Sequence, residues 1–217
     1  CLRSLRLCGL FSMKIVAATT NQNKLRELKE LLKDFDVQLL SLKDFPDCPS
    51  VVEDGESFAE NALKKAQAVC AFTGLLAIAD DSGLEVDWLD ERPGIFSARY
   101  AGNSADDKNN YEKLLRELEG VVPEKRGARF RCALAIAAPS GQCRIVEGEY
   151  RGFITTQPRG KNGFGYDPVF LDPVSGLTFA EMPGEQKNKI SHRARALHEL
   201  IKILPDFLKT QSQKQTK

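Results

Sequence analysis

Several features that would assign this chain to a special class of proteins are missing from its sequence. No apolar run is long enough to span a bilayer, and the six cysteines include no C-x-x-C pair. The net charge is only +1, so bulk charge gives no reason to expect a nucleic-acid partner or binding to an anionic membrane. A soluble globular protein in a reducing, cytoplasmic setting is the simplest interpretation.

The chain divides into a central domain and two short ends. Residues 1–12 carry arginines among leucines, but their apolar run is too short for a signal peptide and no cleavage site follows it. We interpret them as an N-terminal extension. Residues 206–217 end in a stretch rich in glutamine and lysine, which predicts a disordered tail. Residues 13–205 contain no repeat or flexible linker and are predicted to form one domain.

The apolar periodicity of this domain predicts a mixed α/β fold with helices packed around one sheet. Helices are expected over 24–32, 57–72, 106–118 and 191–204, the second opening with a capping box at Ser57 and Glu60. Strands are expected over 15–18, 37–40, 75–81, 129–137, 144–150 and 153–156.

Two adjacent carboxylates, Asp80 and Asp81, follow the apolar run 75–79 and precede Ser82 and Gly83. Burying an unpaired carboxylate is costly, so a strand that ends in two of them is expected to deliver them to a metal or a solvated cleft. Side chains alternate along a strand, which places Asp81 on the face of small alanines, where a ligand can approach closely. Asp81 is therefore the catalytic candidate and Asp80 its support; a simple turn after the strand is the alternative.

Residues 19–24, Thr-Thr-Asn-Gln-Asn-Lys, lie between a predicted strand and a predicted helix. Hydroxyl, amide and ammonium groups at a helix N-terminus form an anion site, because unpaired N–H groups and the helix dipole both favour negative charge. The pattern is not that of a Walker loop. Plain N-capping by Asn21 or Asn23 is the alternative.

A lysine and a nearby carboxylate extend this hypothesis. Lys65 interrupts an otherwise apolar helical stripe, which fits either a lysine that reaches a phosphate or one that extends its ammonium to solvent. Glu53 could complete a hard-cation site with Asp81, since Mg²⁺ prefers one or two carboxylates together with substrate oxygens. The alternative is that Glu53 is a solvated surface residue that binds no metal.

Two later segments suggest a pocket for a flat ligand. In Gly-Phe-Gly-Tyr-Asp-Pro at 163–168, aromatic side chains between glycines suit stacking on a base, unless the segment is only a glycine-rich turn with core aromatics. Further on, Ser191 can cap the last helix and places His192 and Arg193 in its first turn. Cations there oppose the helix dipole, a conflict that an anionic or carbonyl-bearing ligand would relieve.

Six motifs occur in the order found in a known family. They are Thr-x-Asn-x-x-Lys at 19–24, Ser-Phe-Ala-Glu-Asn-Ala at 57–62, Ala-Asp-Asp-Ser-Gly-Leu at 79–84, Pro-Gly-Ile-Phe-Ser-Ala-Arg-Tyr-Ala-Gly at 93–102, Gly-Phe-Gly-Tyr-Asp-Pro at 163–168 and Ile-Ser-His-Arg at 190–193. Over residues 14–204 the chain resembles the inosine/xanthosine triphosphate pyrophosphatases, which hydrolyse nonstandard purine nucleoside triphosphates. Thr20 stands where relatives often have glycine and Asn23 where some of them have it, but neither residue removes a donor that the site needs.

The resemblance implies an elongated, two-lobed α/β structure in which a long twisted mixed β-sheet, flanked by helices, floors a central cleft. It implies a homodimer that requires Mg²⁺ and cuts nucleoside triphosphates between the α- and β-phosphates. The triphosphate would be held by Thr19, Thr20, Asn21, Gln22, Asn23, Lys24 and Lys65. The metal would be held by Glu53 and Asp81, with Asp80 behind them or at a second metal, and Asp81 would activate the water. The nucleoside pocket would comprise Ser82, Phe164, Gly165, Tyr166, Asp167, Lys187, His192 and Arg193.

The pocket residues suggest how a purine is selected. Arg193 is always a hydrogen-bond donor and His192 can be one. Together they would donate to the 6-oxo group of ITP, XTP and dITP and disfavour the 6-amino group of ATP, which is itself a donor. A pyrophosphatase of modified pyrimidine nucleotides is an alternative, against which His192, Arg193 and the segment 163–168 argue. A non-catalytic nucleotide sensor is another, although a sensor has no need of a water-activating carboxylate.

Overall fold

A computed structural model describes residues 13–102, 104 and 106–212 of the chain. The predicted N-terminal extension, residues 1–12, lies outside this part, as do residues 213–217. No helix within the described ranges is long and apolar enough to cross a membrane.

One mixed β-sheet organises the described residues, as the sequence predicts. Its strands are β1 (Met13–Ala17), β2 (Val37–Ser41), β3 (Leu76–Val86), β4 (Gly127–Ala137), β5 (Cys143–Ile154) and β6 (Phe170–Leu171), in the order β2-β1-β3-β4-β5-β6. The pairings of β1 with β2 and β3 are parallel, and the others are antiparallel. The helices are α1 (Gln22–Leu32), α2 (Phe58–Thr73), α3 (Asp107–Glu117), α4 (Gly184–Ile190) and α5 (His192–Ser212).

The two faces of β3 pack on different helices. Ile78 belongs to a hydrophobic cluster with leucines of α1 and α5, whereas Ala77 and Ala79 belong to a cluster with Ala62 and Ala66 of α2. Because alanines lie on both the strand and the helix side of this interface, α2 can lie close to the sheet. A third cluster, which includes Leu84, Phe130, Tyr150, Phe170 and Phe179, lies at the far end of β3 to β5. The predicted alternation along β3 is confirmed.

A step in the sheet opens a cleft beside β3. Strand β1 pairs with β3 only up to Ala17 and Ile78, whereas β3 continues to Val86 with β4 as its partner. The chain leaves β1 at this point and enters α1. Ligand sites in open α/β sheets form outside the carboxyl ends of parallel strands, and the carboxyl end of β1 lies here.

Several predicted boundaries are wrong. Strand β3 does not end at Asp80 and Asp81, because both pair with β4. The segments 144–150 and 153–156 are not separate strands, because β5 runs unbroken along β4 to Ile154. The sequence gives no signal for α4, and α5 extends through Pro205 to Ser212, where a disordered tail is predicted.

The helix caps agree largely with the sequence. Ser57 accepts a hydrogen bond from the Glu60 N–H, but the Glu60 carboxylate accepts from the Glu56 N–H instead of completing the capping box. Helix α2 ends at Gly74 in the left-handed conformation (φ +65°), which glycine adopts without strain.

Candidate active site

Most of the predicted site residues line one cavity of about 610 Å³ beside β3. They are Thr19, Thr20, Asn21, Gln22, Lys24, Glu53, Lys65, Asp81, Ser82, Phe164, Gly165, Tyr166, Asp167, Lys187, His192 and Arg193. Asn23 and Asp80 do not line it. The volume is that of a small-molecule site.

The N-terminus of α1 forms one wall of the cavity. Asn21 caps the helix, since its Oδ1 accepts hydrogen bonds from the N–H groups of Asn23 (2.9 Å) and Lys24 (3.2 Å). Of the two capping candidates, Asn21 is therefore the correct one. Asn23 instead accepts a hydrogen bond from Arg26 on the helix surface. The cap does not exclude an anion site, because Thr19 and Lys24 still line the cavity.

Lys65 holds two carboxylates together on the α2 side of β3. Its Nζ lies 3.4 Å from Asp81 Oδ1 and 3.2 Å from Glu53 Oε1, and it donates to the Asp80 carbonyl at 2.8 Å. The side chain is buried, so the alternative of an ammonium extended to solvent is wrong. Burial raises the pKa of Asp81 above its ordinary value although Lys65 opposes this.

The carboxylate oxygens on the α2 side of β3 suit a Mg²⁺ ion that also binds substrate oxygens. Within the described ranges, no group of three or more histidine, cysteine or acidic side chains is arranged to hold a metal by itself. Glu53 and Asp81 nevertheless meet at one cationic atom, Lys65 Nζ. Two carboxylates completed by phosphate oxygens are the ligands that Mg²⁺ usually takes.

Asp80 is not part of this group, because its side chain points to the opposite face of β3. Its Oδ2 accepts hydrogen bonds from Arg193 Nη2 (2.9 Å) and Nε (3.2 Å) and lies 3.3 Å from Lys24 Nζ. Although burial favours the neutral acid, Lys24 and Arg193 hold the pKa of Asp80 well below its usual range. The expectation that Asp80 supports a metal is not met by this geometry.

A chain of buried ion pairs leads from Asp80 across the molecule. Arg193 also donates to Glu27, whose other oxygen accepts from Lys187 Nζ at 2.9 Å. Lys187 Nζ in turn donates to Asp167 Oδ2 at 2.6 Å. Sequence reasoning missed Glu27, although a carboxylate flanked by Leu25 and Leu28 on the buried face of a helix was the available signal.

Most donors of the Arg193 guanidinium are engaged by protein groups, although the residue lines the cavity; its contact with a base stays a prediction. Its Nε, Nη1 and Nη2 make four contacts with Asp80, Glu27 and Ser82, and the side chain is 2% exposed. Asp80 and Glu27 are buried carboxylates that need a counter-ion, and the Arg193 guanidinium provides it. The guanidinium therefore neutralises the floor of the cavity.

His192 is a buried residue of the cavity wall. Its ring stacks on Phe130 at 4.7 Å between centroids. Burial, with Arg193 and Lys187 nearby, lowers the pKa of His192 well below its ordinary value. Its Nδ1 has no hydrogen-bond partner in the part of the chain that the structure describes. A buried polar atom without a partner is costly, so a ligand contact at Nδ1 would stabilise the site.

The two aromatic residues of the 163–168 segment differ in role. Tyr166 is a core residue whose hydroxyl donates to the Ser97 carbonyl at 2.8 Å, which agrees with the alternative of a core aromatic. Phe164 is half-buried, with Lys187 Nζ 4.9 Å from its ring centroid. The loop is fixed by Gly165, which donates to Asp107 Oδ2 at 2.7 Å, an anchor that the sequence did not reveal. Phe164 is the aromatic surface available for stacking.

The fold and the cavity define an α/β protein with a charged ligand cleft at the carboxyl end of parallel strands. The sequence matches the Ham1 family over residues 15–203, and the chain belongs to that family.

Its relatives are similar over nearly their whole length. The dITP/XTP pyrophosphatase of Geobacter sulfurreducens is 53% identical over 184 residues, which cover 85% of this chain and 92% of that protein. The dITP/XTP pyrophosphatase of Listeria monocytogenes is 49% identical over 201 residues, which cover 93% of this chain and 99% of that protein. Among solved structures, a HAM1 protein from Coxiella burnetii matches with a TM-score of 0.81 at 41% identity, covering 89% of this chain and 99% of that chain. The Staphylococcus aureus Ham1 protein matches with a TM-score of 0.79 at 39% identity, covering 89% and 98%.

Proposed function

We propose that this protein hydrolyses nonstandard purine nucleoside triphosphates, among them XTP, ITP and dITP, to the monophosphate and pyrophosphate. Such an activity removes these nucleotides before they enter DNA or RNA. The observation that carries the proposal is the meeting of Glu53, Asp81 and Lys65 at the wall of a nucleotide-sized cavity. The relatives named dITP/XTP pyrophosphatases support the substrate class.

The residues divide the chemistry between them. Lys24, Lys65 and the α1 N-terminus would bind the phosphates, since ammonium groups and unpaired N–H groups both favour negative charge. Asp81 would accept the proton of the attacking water, because its raised pKa brings it closer to that of a base at neutral pH. Mg²⁺ held by Glu53 and Asp81 would neutralise charge that develops on the phosphate oxygens.

Base recognition in this proposal relies on Phe164 and His192. Phe164 offers a ring face, and His192 offers Nδ1 or its backbone to the base edge. The preference for 6-oxo purines stays part of the proposal, and so do the donor roles of His192 and Arg193 in reading the 6-oxo group. Sites that read a polar group by hydrogen bonding can reject the wrong analogue by roughly 10⁴–10⁵-fold.

Pyrophosphate release from a panel of nucleotides tests the function. We expect XTP, ITP and dITP to be preferred, GTP to be weak, and ATP and pyrimidine triphosphates to be weaker still. EDTA should stop the reaction and Mg²⁺ should restore it. Specificity constants for ATP and ITP of similar size would contradict the proposal, and a preference for modified pyrimidines would favour the alternative enzyme.

Asp81→Asn tests the assignment of the base. The change is nearly isosteric but removes both the proton acceptor and a metal ligand, so kcat should fall by at least about 10²–10⁴-fold. The matched control is Asp54→Asn, an exposed acid next to Glu53 that lies outside the cavity, which should keep normal turnover. Normal turnover by a folded Asp81→Asn variant would refute the role of Asp81.

Two expectations from the family resemblance also belong to this proposal. We propose a homodimer, which light scattering of the purified protein would test. We also propose a reducing, cytoplasmic setting, which is supported by the cysteines of the described residues, all of them free thiols.

A further inference from the structure

Cationic side chains line the cavity in two groups. Of the six lysines and arginines that the structure describes there, Lys24, Lys65, Lys187 and Arg193 are each paired with a carboxylate. Within the described ranges, neither Lys43 nor Arg99 forms an ion pair. The first group neutralises acids of the protein itself. The second group carries positive charge that no described carboxylate neutralises.

Arg99 extends from a segment that is fixed beside Asp81. This segment is the 3-10 turn Gly94–Arg99. Ser97 Oγ accepts a hydrogen bond from the Leu84 N–H at 2.9 Å, so the turn is tied to β3. A Cβ at Gly83 would lie 2.5 Å from Ser97 Oγ, so only glycine permits this contact. Gly83 is two residues from Asp81 on the same face of the strand, which places the turn next to the proposed base.

The carboxylates of the cavity are already engaged by other donors. Glu53 and Asp81 contact Lys65, Asp167 contacts Lys187, and Asp107 accepts from the Gly165 N–H. The Arg99 guanidinium therefore finds no free acid on the cavity wall among the described residues. It lies half-buried over the Phe96 ring, with Cζ 5.1 Å from the centroid, so its position is constrained although it donates no hydrogen bond to another described residue.

We propose that Arg99 is a substrate-binding residue that holds the polyphosphate chain of the nucleotide beside Asp81. A guanidinium presents two parallel donors that match phosphate oxygens, and Arg99 is the cavity guanidinium that has no carboxylate partner in the described part of the chain. Lys43 is exposed at the rim, so its charge is screened by salt and contributes less. The inference rests on the proposed function, since it assigns a residue to the phosphates of that substrate.

Binding of inorganic tripolyphosphate, measured by calorimetry in Mg²⁺ buffer, tests Arg99 apart from catalysis. Arg99→Gln should weaken binding by about 10–100-fold, the loss expected for hydrogen bonds between charged groups. KM for ITP should rise by a similar factor, with a smaller change in kcat. Arg99→Lys should lose several-fold, because an ammonium keeps the charge but not the paired donors. The matched control, Arg116→Gln, removes an exposed arginine of α3 that lies outside the cavity and should bind normally.

Three results would overturn the assignment. They are wild-type tripolyphosphate affinity in Arg99→Gln, wild-type affinity in Arg99→Lys, or an equal loss in Lys43→Gln, which would show that any charge at the rim suffices. If Arg99→Gln melts at a lower temperature, Arg99→Lys decides the outcome, since it keeps a long cationic side chain. Failure of the wild-type protein to hydrolyse ITP would refute the proposed function, whereas the tripolyphosphate affinities would still decide the role of Arg99.

Discussion

Adjacent residues acquire opposite properties in this protein. Asp80 and Asp81 are neighbours in the chain, yet Arg193 and Lys24 lower the pKa of Asp80 against the effect of burial, whereas burial raises the pKa of Asp81 despite Lys65. When their surroundings shift the pKa values of two carboxylates in opposite directions, the two groups are suited to different chemical roles. Asp80 serves as a permanent anion that anchors Arg193, and Asp81 is the carboxylate suited to accept a proton.

His192 should make the stability of the protein depend on pH. Its pKa in the folded state lies well below the ordinary 6.5 because the ring is buried, so below pH 6.5 the unfolded chain binds the proton first. The stabilisation is fully present above pH 6.5 and is lost as the pH falls. Denaturant titrations should show that the wild type loses about 1.4 kcal/mol more than His192→Phe between pH 7.5 and 5.5.

The phenylalanine variant is a close control, because its ring can keep the stack on Phe130 while all other titratable groups are shared. Parallel stability curves for the two proteins over this pH range would contradict a buried neutral His192.

At the scale of secondary-structure elements, one buried arginine joins a helix to a strand. The Arg126 guanidinium donates to the carbonyl oxygens of Leu118, Ile154 and Thr155 at 2.7–2.8 Å. Leu118 is the C-cap of α3 and Ile154 ends β5. A single side chain therefore donates to carbonyls at the end of a helix and at the end of a strand. Burial lowers the pKa of Arg126, but an arginine stays charged in proteins.

Arg126→Met should therefore destabilise the fold without touching the cavity. The variant leaves three carbonyls without their charged donor, so the free energy of unfolding should fall by about 2–5 kcal/mol. Urea denaturation measures this change, with Arg116→Met on the exposed face of α3 as the matched control. A loss below about 1 kcal/mol would mean that water replaces these hydrogen bonds at little cost.

At the scale of the whole molecule, β3 and β4 unite the three hydrophobic clusters of the described residues. Strand β3 gives Ile78 to the first, Ala79 to the second and Leu84 to the third, and β4 likewise contributes to all three. The cavity is bordered by α1, α2 and the Phe164 loop, so a ligand there contacts elements that pack on each cluster.

We expect the protein to unfold in one transition that a bound ligand shifts as a whole. A non-hydrolysable ITP analogue with Mg²⁺ at 100 times its Kd should stabilise the protein by about 2.7 kcal/mol. Near- and far-ultraviolet circular dichroism should report the same midpoint with and without the analogue, an ATP analogue serving as the control. Two separate transitions, only one of them shifted, would show that the clusters unfold independently.

The sequence alone determined the features that depend on neighbours in the chain. The alternation along β3, the N-cap at Ser57 and the order of the six motifs are local patterns, and each of them agrees with the structure or the family match. The length of β3 was misjudged because aspartates disfavour a strand locally, whereas pairing with β4 and buried cations override that preference.

Only the tertiary structure decided what the charged side chains face. Arg193 and Glu27 are 166 residues apart in the chain, and no periodicity predicts that these two side chains form an ion pair. Arg99 lay inside a recognised motif, but only the assembled cavity wall shows that it has no acidic partner among the residues that the structure describes. A sequence states which groups can be charged, whereas folding fixes which of them are neutralised by the protein and which are left for a ligand.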